Sequence, residues 1–221
     1  MVDLIIFDCD GVLVDSEILS ADVLIALLAP LGIAIDRAHV RAHFLGRSFP
    51  TVAAGLRKTA GVPLPDDFEA TYRAALLQRF EIELHPTPGV VSMLADLRLP
   101  VCVATSSSPQ RVARALAITG LAKRFGRHVF TASEVARGKP FPDIFLHAAR
   151  QMHADPHATL VVEDSPPGLS AAQAAGMAVL AYTGGSHLTG RPFEGPPGVT
   201  AFDNWTDFPH LLSSLATGPL P

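Results

Sequence analysis

The chain has 221 residues, of which 48% are hydrophobic, and its formal net charge at pH 7 is -4. This length allows one large hydrophobic core, or a core domain with a smaller second domain, and the composition excludes general disorder. The acidic balance and the lack of a basic run do not support nucleic acid as a partner. The two cysteines predict a reduced, cytoplasmic protein, and the first apolar run is too short for a signal peptide or a membrane span.

Short apolar runs recur along the chain and predict buried strands. They lie at residues 4–7, 101–105, 129–132, 159–164 and 178–183. The runs are continuous rather than alternating, which is typical of strands buried on both faces of a parallel sheet. Beyond these runs, helices are predicted at 88–98, 109–122, 141–153 and 166–176, a loop at 183–197 and a frayed end at 218–221. Strands that alternate with helices predict a three-layer α/β fold with a parallel sheet.

Residues 16–87 interrupt this alternation and contain no predicted strand. Apolar residues recur at helical spacing over residues 18–31, and Gly32 follows as a stop signal. Further helices are predicted at 36–44, 49–60 and 66–83. We therefore predict a helical cap domain at residues 16–87, inserted into a core domain formed by residues 1–15 and 88–221. The predicted hinges lie near residues 14–16 and 86–88.

Acidic side chains follow two of the predicted strands. Asp8 ends the first apolar run, and Glu163 and Asp164 end the run that begins at residue 159. Thr105 ends another strand, and the carboxyl ends of parallel strands meet at one edge of a sheet, where ligands bind. Carboxylates that converge there repel each other unless a cation lies between them, and hard oxygen ligands favour Mg²⁺. The sequence therefore predicts a magnesium site at this edge.

Lys139 is one of only three lysines in the chain, and it lies between a glycine and a proline in the segment GKPFPD. A lysine ammonium is a compact point charge, which suits an anionic oxygen. A cation, a lysine, the Thr105 hydroxyl and a nucleophilic carboxylate together fit phosphoryl transfer.

Four segments in this order resemble the haloacid dehalogenase superfamily. They are FDCDGVLVDSE (7–17), VATSSSP (103–109), GKPFPDIF (138–145) and VVEDSPPGLSAAQAAGM (161–177). The resemblance is to the branch of β-phosphoglucomutase-like enzymes and sugar-phosphate phosphatases, including 6-phosphogluconate phosphatase-like proteins. It implies a Rossmann-like core with a small inserted helical cap, and it covers the core domain to about residue 183.

The resemblance also implies roles for the catalytic residues. Asp8 resembles the nucleophile that becomes an aspartyl phosphate. Asp10 resembles the general acid and base that protonates the leaving oxygen and then activates water. Thr105 and Lys139 would hold the phosphoryl oxygens, and Lys139 would keep Asp8 ionised.

The implied cofactor is Mg²⁺, and the implied substrate is a small phosphorylated metabolite. The implied metal ligands are Asp8, Asp10 through its backbone carbonyl, Asp164, and Glu163 directly or through water. The implied substrate-binding residues are Glu17, Gly46, Arg47, Thr105, Ser106, Ser107 and Lys139. Arg47 matches a cap position that reaches the substrate in related enzymes. We expect a monomer with no membrane or nucleic-acid partner.

Two other readings remain open beside the phosphatase. A β-phosphoglucomutase-type isomerase would use the same core, but its histidine position holds Ser20 here, and its cap lysine has no clear equivalent, Arg73 being the nearest candidate. A binding protein that had lost catalysis would also fit the scaffold, although all the motif residues are present. We therefore predict a phosphatase and keep the mutase as the alternative.

Overall fold

A six-stranded parallel sheet organises the residues that the computed structural model describes, which are 1–59, 63–193 and 195–217. The strands are β1 (Leu4–Phe7), β2 (Val101–Thr105), β3 (Val129–Thr131), β4 (Thr159–Glu163), β5 (Ala178–Tyr182) and β6 (Thr200–Phe202). Their order is β3-β2-β1-β4-β5-β6, and each neighbouring pair is parallel. β1 therefore lies at the centre, between β2 and β4. The predicted parallel α/β fold is confirmed.

Helices cover the sheet and fill the segment between β1 and β2. In the described residues they are α1 (Glu17–Leu28), α2 (Arg37–His43), α3 (Phe49–Thr59), α4 (Phe68–Glu83), α5 (Val90–Asp96), α6 (Pro109–Ile118), α7 (Ala122–Phe125), α8 (Asp143–Gln151), α9 (Pro166–Ala174) and α10 (Phe208–Thr217). None of these helices is both long and apolar enough to cross a membrane. The predicted end of α3 at residue 60 and the predicted frayed end at 218–221 lie outside the described residues.

Successive residues of the central strands contribute to two separate hydrophobic cores. In β1, Ile5 and Phe7 belong to the larger core, and Leu4 and Ile6 belong to the smaller one. Because successive side chains of a strand point to opposite faces, a strand between two layers of helices needs an apolar residue at every position. This requirement explains the continuous apolar runs of the sequence, and it confirms the three-layer arrangement.

Apart from shifts of one or two residues at the ends of elements, the sequence-based elements differ from the structure in two places. The helix predicted at 109–122 ends at Ile118, because Gly120 adopts a left-handed conformation with φ of 74°, and the separate helix α7 follows. β6 and α10 were not predicted. β6 has only three residues, two of them exposed, so it lacks a continuous apolar run. Between β6 and α10, Trp205 is 1% exposed and packs on Phe202 and Phe208.

The described residues between β1 and β2 contain α1 to α5, and the predicted cap segment among them has helices α1 to α4 and no named strand. The two ends of that segment lie side by side. The backbone N–H of Thr87 donates to the Leu13 carbonyl at 3.0 Å, and the N–H of Asp15 donates to the His85 carbonyl at 2.9 Å. This adjacency fits a two-stranded connection, and the division into core and cap domains with hinges there stays a prediction.

Candidate active site

Three neighbouring strands end at one edge of the sheet and place polar side chains there. Asp8 directly follows β1, Thr105 is the last residue of β2, and Glu163 is the last residue of β4. The chain passes from β1 to β2 on one side and returns later to β4 on the other side. This edge is therefore the topological switch point at which open α/β sheets bind their ligands.

A buried acidic cluster forms at this edge from Asp8, Glu163 and Asp164. Each of the three offers a carboxylate oxygen, and these oxygens lie within 4.8 Å of one another. Lys139 joins them: its Nζ donates to Asp8 Oδ1 and to Glu163 Oε1, both at 2.6 Å, and its side chain is 1% exposed. The predicted association of Asp8, Glu163, Asp164 and Lys139 is therefore present in the structure.

The charges of the cluster do not balance. Burial raises the pKa of Asp8 well above its ordinary value, and Glu163 and Asp164 add to the rise, although Lys139 opposes it. Burial and Glu163 likewise raise the pKa of Asp164. Burial alone would lower the pKa of Lys139, but Asp8 and Glu163 outweigh it and raise that pKa. One ammonium thus faces three carboxylates, and a further cation would relieve their repulsion.

The donor set of the cluster fits a divalent cation with oxygen ligands. Carboxylate oxygens are the ligands that Mg²⁺ prefers. Asp164 Oδ2 is buried and accepts no hydrogen bond from the described residues, although His187 Nε2 lies 2.9 Å from it, so this oxygen can ligate a cation. The carboxylate of Glu163 has less capacity left for a cation, because its Oε2 accepts hydrogen bonds from the backbone N–H and the hydroxyl of Ser165 at 2.7 and 2.9 Å. Asp8 and Asp164 are therefore the side chains best placed to hold the ion.

Asp10 lies beside the cluster, and its carboxylate is engaged elsewhere. Its Oδ1 accepts from Ser16 Oγ at 2.5 Å and from Arg111 Nη2 at 2.7 Å, and its Oδ2 accepts from Ser107 Oγ at 2.5 Å. Burial would raise the pKa of Asp10, but the charge of Arg111 and these hydrogen bonds outweigh it and lower the pKa. The side chain is thus held as a carboxylate by partners outside the acidic cluster.

The other predicted residues surround this arrangement. Thr105 is buried and its Oγ1 accepts from the backbone N–H of Ser107 at 3.1 Å. Ser106 Oγ donates to the Gly46 carbonyl at 2.9 Å, which ties the loop before α3 to the end of β2. Arg47 is exposed and borders the same cavities as Ser106 and Ser107. The structure therefore brings Gly46 and Arg47 next to the site.

Gly11 packs closely against Asp164, so a substitution at Gly11 can test the packing of the site. Its φ is 79°, and a Cβ added there would collide with Asp164 Oδ2. We expect Gly11→Ala to destabilise the protein by about 1–3 kcal/mol through backbone strain, plus the displacement of Asp164. Urea unfolding, with and without Mg²⁺, measures both effects.

Gly32→Ala is the matched control for this prediction. Gly32 has φ of 76°, but no described atom lies within 4 Å of the position that a Cβ would take there. The control should show the strain alone and keep the full stabilisation by Mg²⁺. If the two variants respond to Mg²⁺ equally, Gly11 does not position Asp164.

Glu17 begins α1 and lines the cavity that also contains Asp8 and Asp10. Burial and the charge of Asp10 raise its pKa from 4.5 to about 8. The folded state thus binds this proton more tightly than the unfolded state, and its stability falls as the pH rises from 4.5 to about 8. Glu17→Gln removes this loss, so we expect the variant to gain stability relative to the wild type across that window. Urea unfolding in EDTA at several pH values measures it, and a constant difference would contradict the assignment.

Arg111 and His187 are among the residues of the site that were not predicted from the sequence. Arg111 lies in the first turn of α6, three residues after the cap residue Ser108, and its spacing gave no signal that it reaches the site. His187 follows two glycines in a loop, and its Nε2 lies 2.9 Å from Asp164 Oδ2 without hydrogen-bond geometry. Asp15 Oδ1 fixes that loop by accepting from the Ser186 hydroxyl at 2.8 Å.

Comparisons with known proteins agree with this geometry. The family model described as haloacid dehalogenase-like hydrolase matches residues 2–176. The 6-phosphogluconate phosphatase of Escherichia coli K12 is 27% identical over 95% of this chain and 94% of its own length. The phosphoglycolate phosphatase of Rhodobacter capsulatus is 32% identical over 96% of this chain and 97% of its own.

A solved structure extends the likeness to three dimensions. It is a conserved haloacid dehalogenase-like protein of unknown function from Agrobacterium tumefaciens, with a TM-score of 0.80 and 35% identity over 98% of this chain and 100% of its own. The chain therefore belongs to the haloacid dehalogenase-like hydrolase family, and within it the chain is a phosphoric monoester hydrolase.

Proposed function

We propose that the chain is a Mg²⁺-dependent phosphatase that hydrolyses small phosphorylated metabolites, sugar phosphates in particular, through an aspartyl phosphate on Asp8. One observation carries this proposal: Asp8 lies at the switch point of the sheet, bonded to Lys139 and within a buried acidic cluster. The names of the phosphatase relatives support it, and they do not favour the mutase.

Asp8 supplies the nucleophile in this proposal. A carboxylate oxygen of Asp8 attacks phosphorus, an O–P bond forms, and the bond from phosphorus to the leaving oxygen breaks. Lys139 already donates to Asp8 Oδ1, so it holds the carboxylate in place and offsets charge beside the phosphoryl oxygens. The Thr105 hydroxyl, at the end of β2, would contact another phosphoryl oxygen.

Asp10 supplies the proton transfers. Once it is released from Arg111 and the serines, which lower its pKa, it would take up a proton from solvent and give that proton to the leaving oxygen, and it would then accept a proton from the water that attacks the aspartyl phosphate. In the structure its oxygens accept from Ser16, Ser107 and Arg111. Rotation of the side chain toward the leaving group must therefore break these bonds, and we assign that rotation to closure of the helical cap with substrate bound.

Mg²⁺ would be held by Asp8, by the backbone carbonyl of Asp10 and by Asp164, with Glu163 reaching it directly or through water. The bound ion would supply Lewis-acid stabilisation of negative charge on the phosphoryl group. Glu17, Gly46, Arg47, Ser106 and Ser107 would line the substrate on the cap side and on the side of β2.

Phosphate release from a panel of sugar phosphates tests the proposal, with each substrate measured in Mg²⁺ and in EDTA. We expect release in Mg²⁺ and none above background in EDTA, with recovery when Mg²⁺ is restored in excess. Release that persists in EDTA would contradict the metal requirement. If β-glucose 1-phosphate is converted to glucose 6-phosphate without net phosphate release, the protein is a mutase and the proposal is wrong.

A further inference from the structure

Two adjacent cavities at the site share part of their walls. The smaller, about 60 Å³, contains Asp8, Asp10 and Thr105, and the larger, about 350 Å³, lies beside it between α4, α6 and the loop before α3. They share Arg47, Phe49, Tyr72, Ser106, Ser107 and Arg111. A cavity of this size suits a small metabolite. With the phosphoryl group beside Asp8, the leaving group therefore extends into the larger cavity.

The charged residues that line the larger cavity, among those that the structure describes, are all cationic. They are Arg47, Arg73 and Arg111, and no carboxylate residue lines it. Arg73 is already paired with Glu69 of the same helix. Arg47 has no ion pair in the described part of the chain, so its charge remains available at the mouth of the cavity.

Arg111 stands where the two cavities meet and is only partly paired. Its Nη2 donates to Asp10 Oδ1 and to Ser20 Oγ, at 2.7 and 2.8 Å. Its Nε is buried and has no hydrogen-bond partner among the described residues. An unpaired buried N–H is costly, and a guanidinium binds a carboxylate or a phosphate through two parallel hydrogen bonds. Both hydrogens of Nη2 are already donated, so the edge formed by Nε and Nη2 can bind a second anion in this way once Asp10 rotates toward the leaving group, as the proposed mechanism requires.

We propose that the larger cavity binds a second anionic group, carried by the leaving group of the substrate, and that Arg111 is the residue that selects for it. This inference rests on the proposed phosphatase function and narrows its substrate class to phosphorylated acids and bisphosphates. The remaining wall is partly apolar, and its neutral polar residues, among them Ser48, Thr51 and Ser133, can bond to substrate hydroxyls. A substrate without the second anion leaves Arg111 unsatisfied, and sites of this kind discriminate strongly against such analogues.

Matched substrates test the inference. Glucose 6-phosphate, 6-phosphogluconate and fructose 1,6-bisphosphate offer a neutral group, a carboxylate and a second phosphate. We expect kcat/KM for at least one doubly anionic substrate to exceed that for glucose 6-phosphate by about tenfold or more, which corresponds to about 1.4 kcal/mol. Comparison of 6-phosphogluconate with fructose 1,6-bisphosphate shows whether the cavity prefers a carboxylate or a phosphate as the second anionic group.

Arg111→Gln should reduce this ratio to near one, and Arg111→Lys should restore part of it. The ratio is the readout because Arg111 also contacts Asp10, so a general loss of rate would not by itself reveal selection. Arg114→Gln is the control: Arg114 lies on the same helix, pairs with Glu81 and lines neither cavity. It should keep the wild-type ratio.

The outcomes separate this inference from the phosphatase proposal. If the wild type releases phosphate in a metal-dependent way but its kcat/KM is about equal for the doubly anionic substrates and for glucose 6-phosphate, the inference is wrong and the phosphatase proposal stands. The same conclusion follows if the wild type prefers a doubly anionic substrate and Arg111→Gln keeps that preference. If no substrate is hydrolysed, the phosphatase proposal fails, and calorimetric binding of the same three compounds to the Mg²⁺-loaded wild type decides the inference. Tighter binding of the doubly anionic compounds, lost in Arg111→Gln, supports it, and equal binding overturns it.

Discussion

Asp8→Asn is expected to lower kcat for phosphate release by at least about 10³-fold while the protein stays folded, because removal of a catalytic nucleophile has effects of this order or larger. An amide is not a useful nucleophile, yet Asn has nearly the shape of Asp. Burial raises the pKa of Asp8, so the ionised carboxylate is costly to bury and its loss should not unfold the protein in EDTA. Steady-state phosphate release and urea unfolding measure the two effects.

Asp3→Asn is the control for this substitution. Asp3 is an exposed carboxylate just before β1, and Asp3→Asn should leave kcat unchanged. If Asp8→Asn keeps more than about a hundredth of the wild-type kcat with the same fold, then Asp8 is not the nucleophile, since loss of a true nucleophile costs far more.

Lys139→Met is expected to have the largest effect on stability. The ammonium is 1% exposed and bonds to both Asp8 and Glu163, so its removal leaves three buried carboxylates without a compensating charge. Breaking a buried ion pair in this way costs about 3–5 kcal/mol. We expect this loss in EDTA and a partial recovery in Mg²⁺, because a cation that binds only the folded state stabilises it. Urea unfolding under both conditions measures it.

Measurements of kcat separate the role of Lys139 in stability from its role in catalysis. Mg²⁺ can replace part of the missing charge, but it cannot replace the contact with the phosphoryl oxygens, so kcat should stay low in saturating Mg²⁺. Lys123→Met is the control, since Lys123 is exposed on α7 and should change stability by no more than about 0.5 kcal/mol. Equal stability of Lys139→Met and the wild type in EDTA would show that the cluster needs no ammonium.

The fold was largely predictable because its signals are local and continuous. β1, β2 and β4 are buried on both faces, so each appears in the sequence as an uninterrupted apolar run. β6 is a short edge strand with two exposed residues, and its place in the sheet depends on pairing with β5. Such a strand carries little signal of its own, which is why it was missed.

The residues of the site also fall into two groups, those that the sequence predicts and those that it does not. Asp8, Thr105, Glu163 and Asp164 each adjoin the end of a strand, so parallel topology alone brings them together. Arg111 reaches Asp10 only because α6 packs at a particular rotation, and His187 reaches Asp164 only because its loop is bonded to Asp15. These contacts depend on tertiary packing, which periodicity and spacing do not encode.

The most direct test of the account is detection of the phosphoenzyme. The protein is mixed with Mg²⁺ and its best substrate, quenched in acid within one turnover, and digested for mass spectrometry. We expect the mass of one phosphoryl group on the peptide that contains Asp8, absent in EDTA and in Asp8→Asn. Rapid phosphate release with no phosphorylated peptide, or with the phosphoryl group on another residue, would contradict the proposed mechanism.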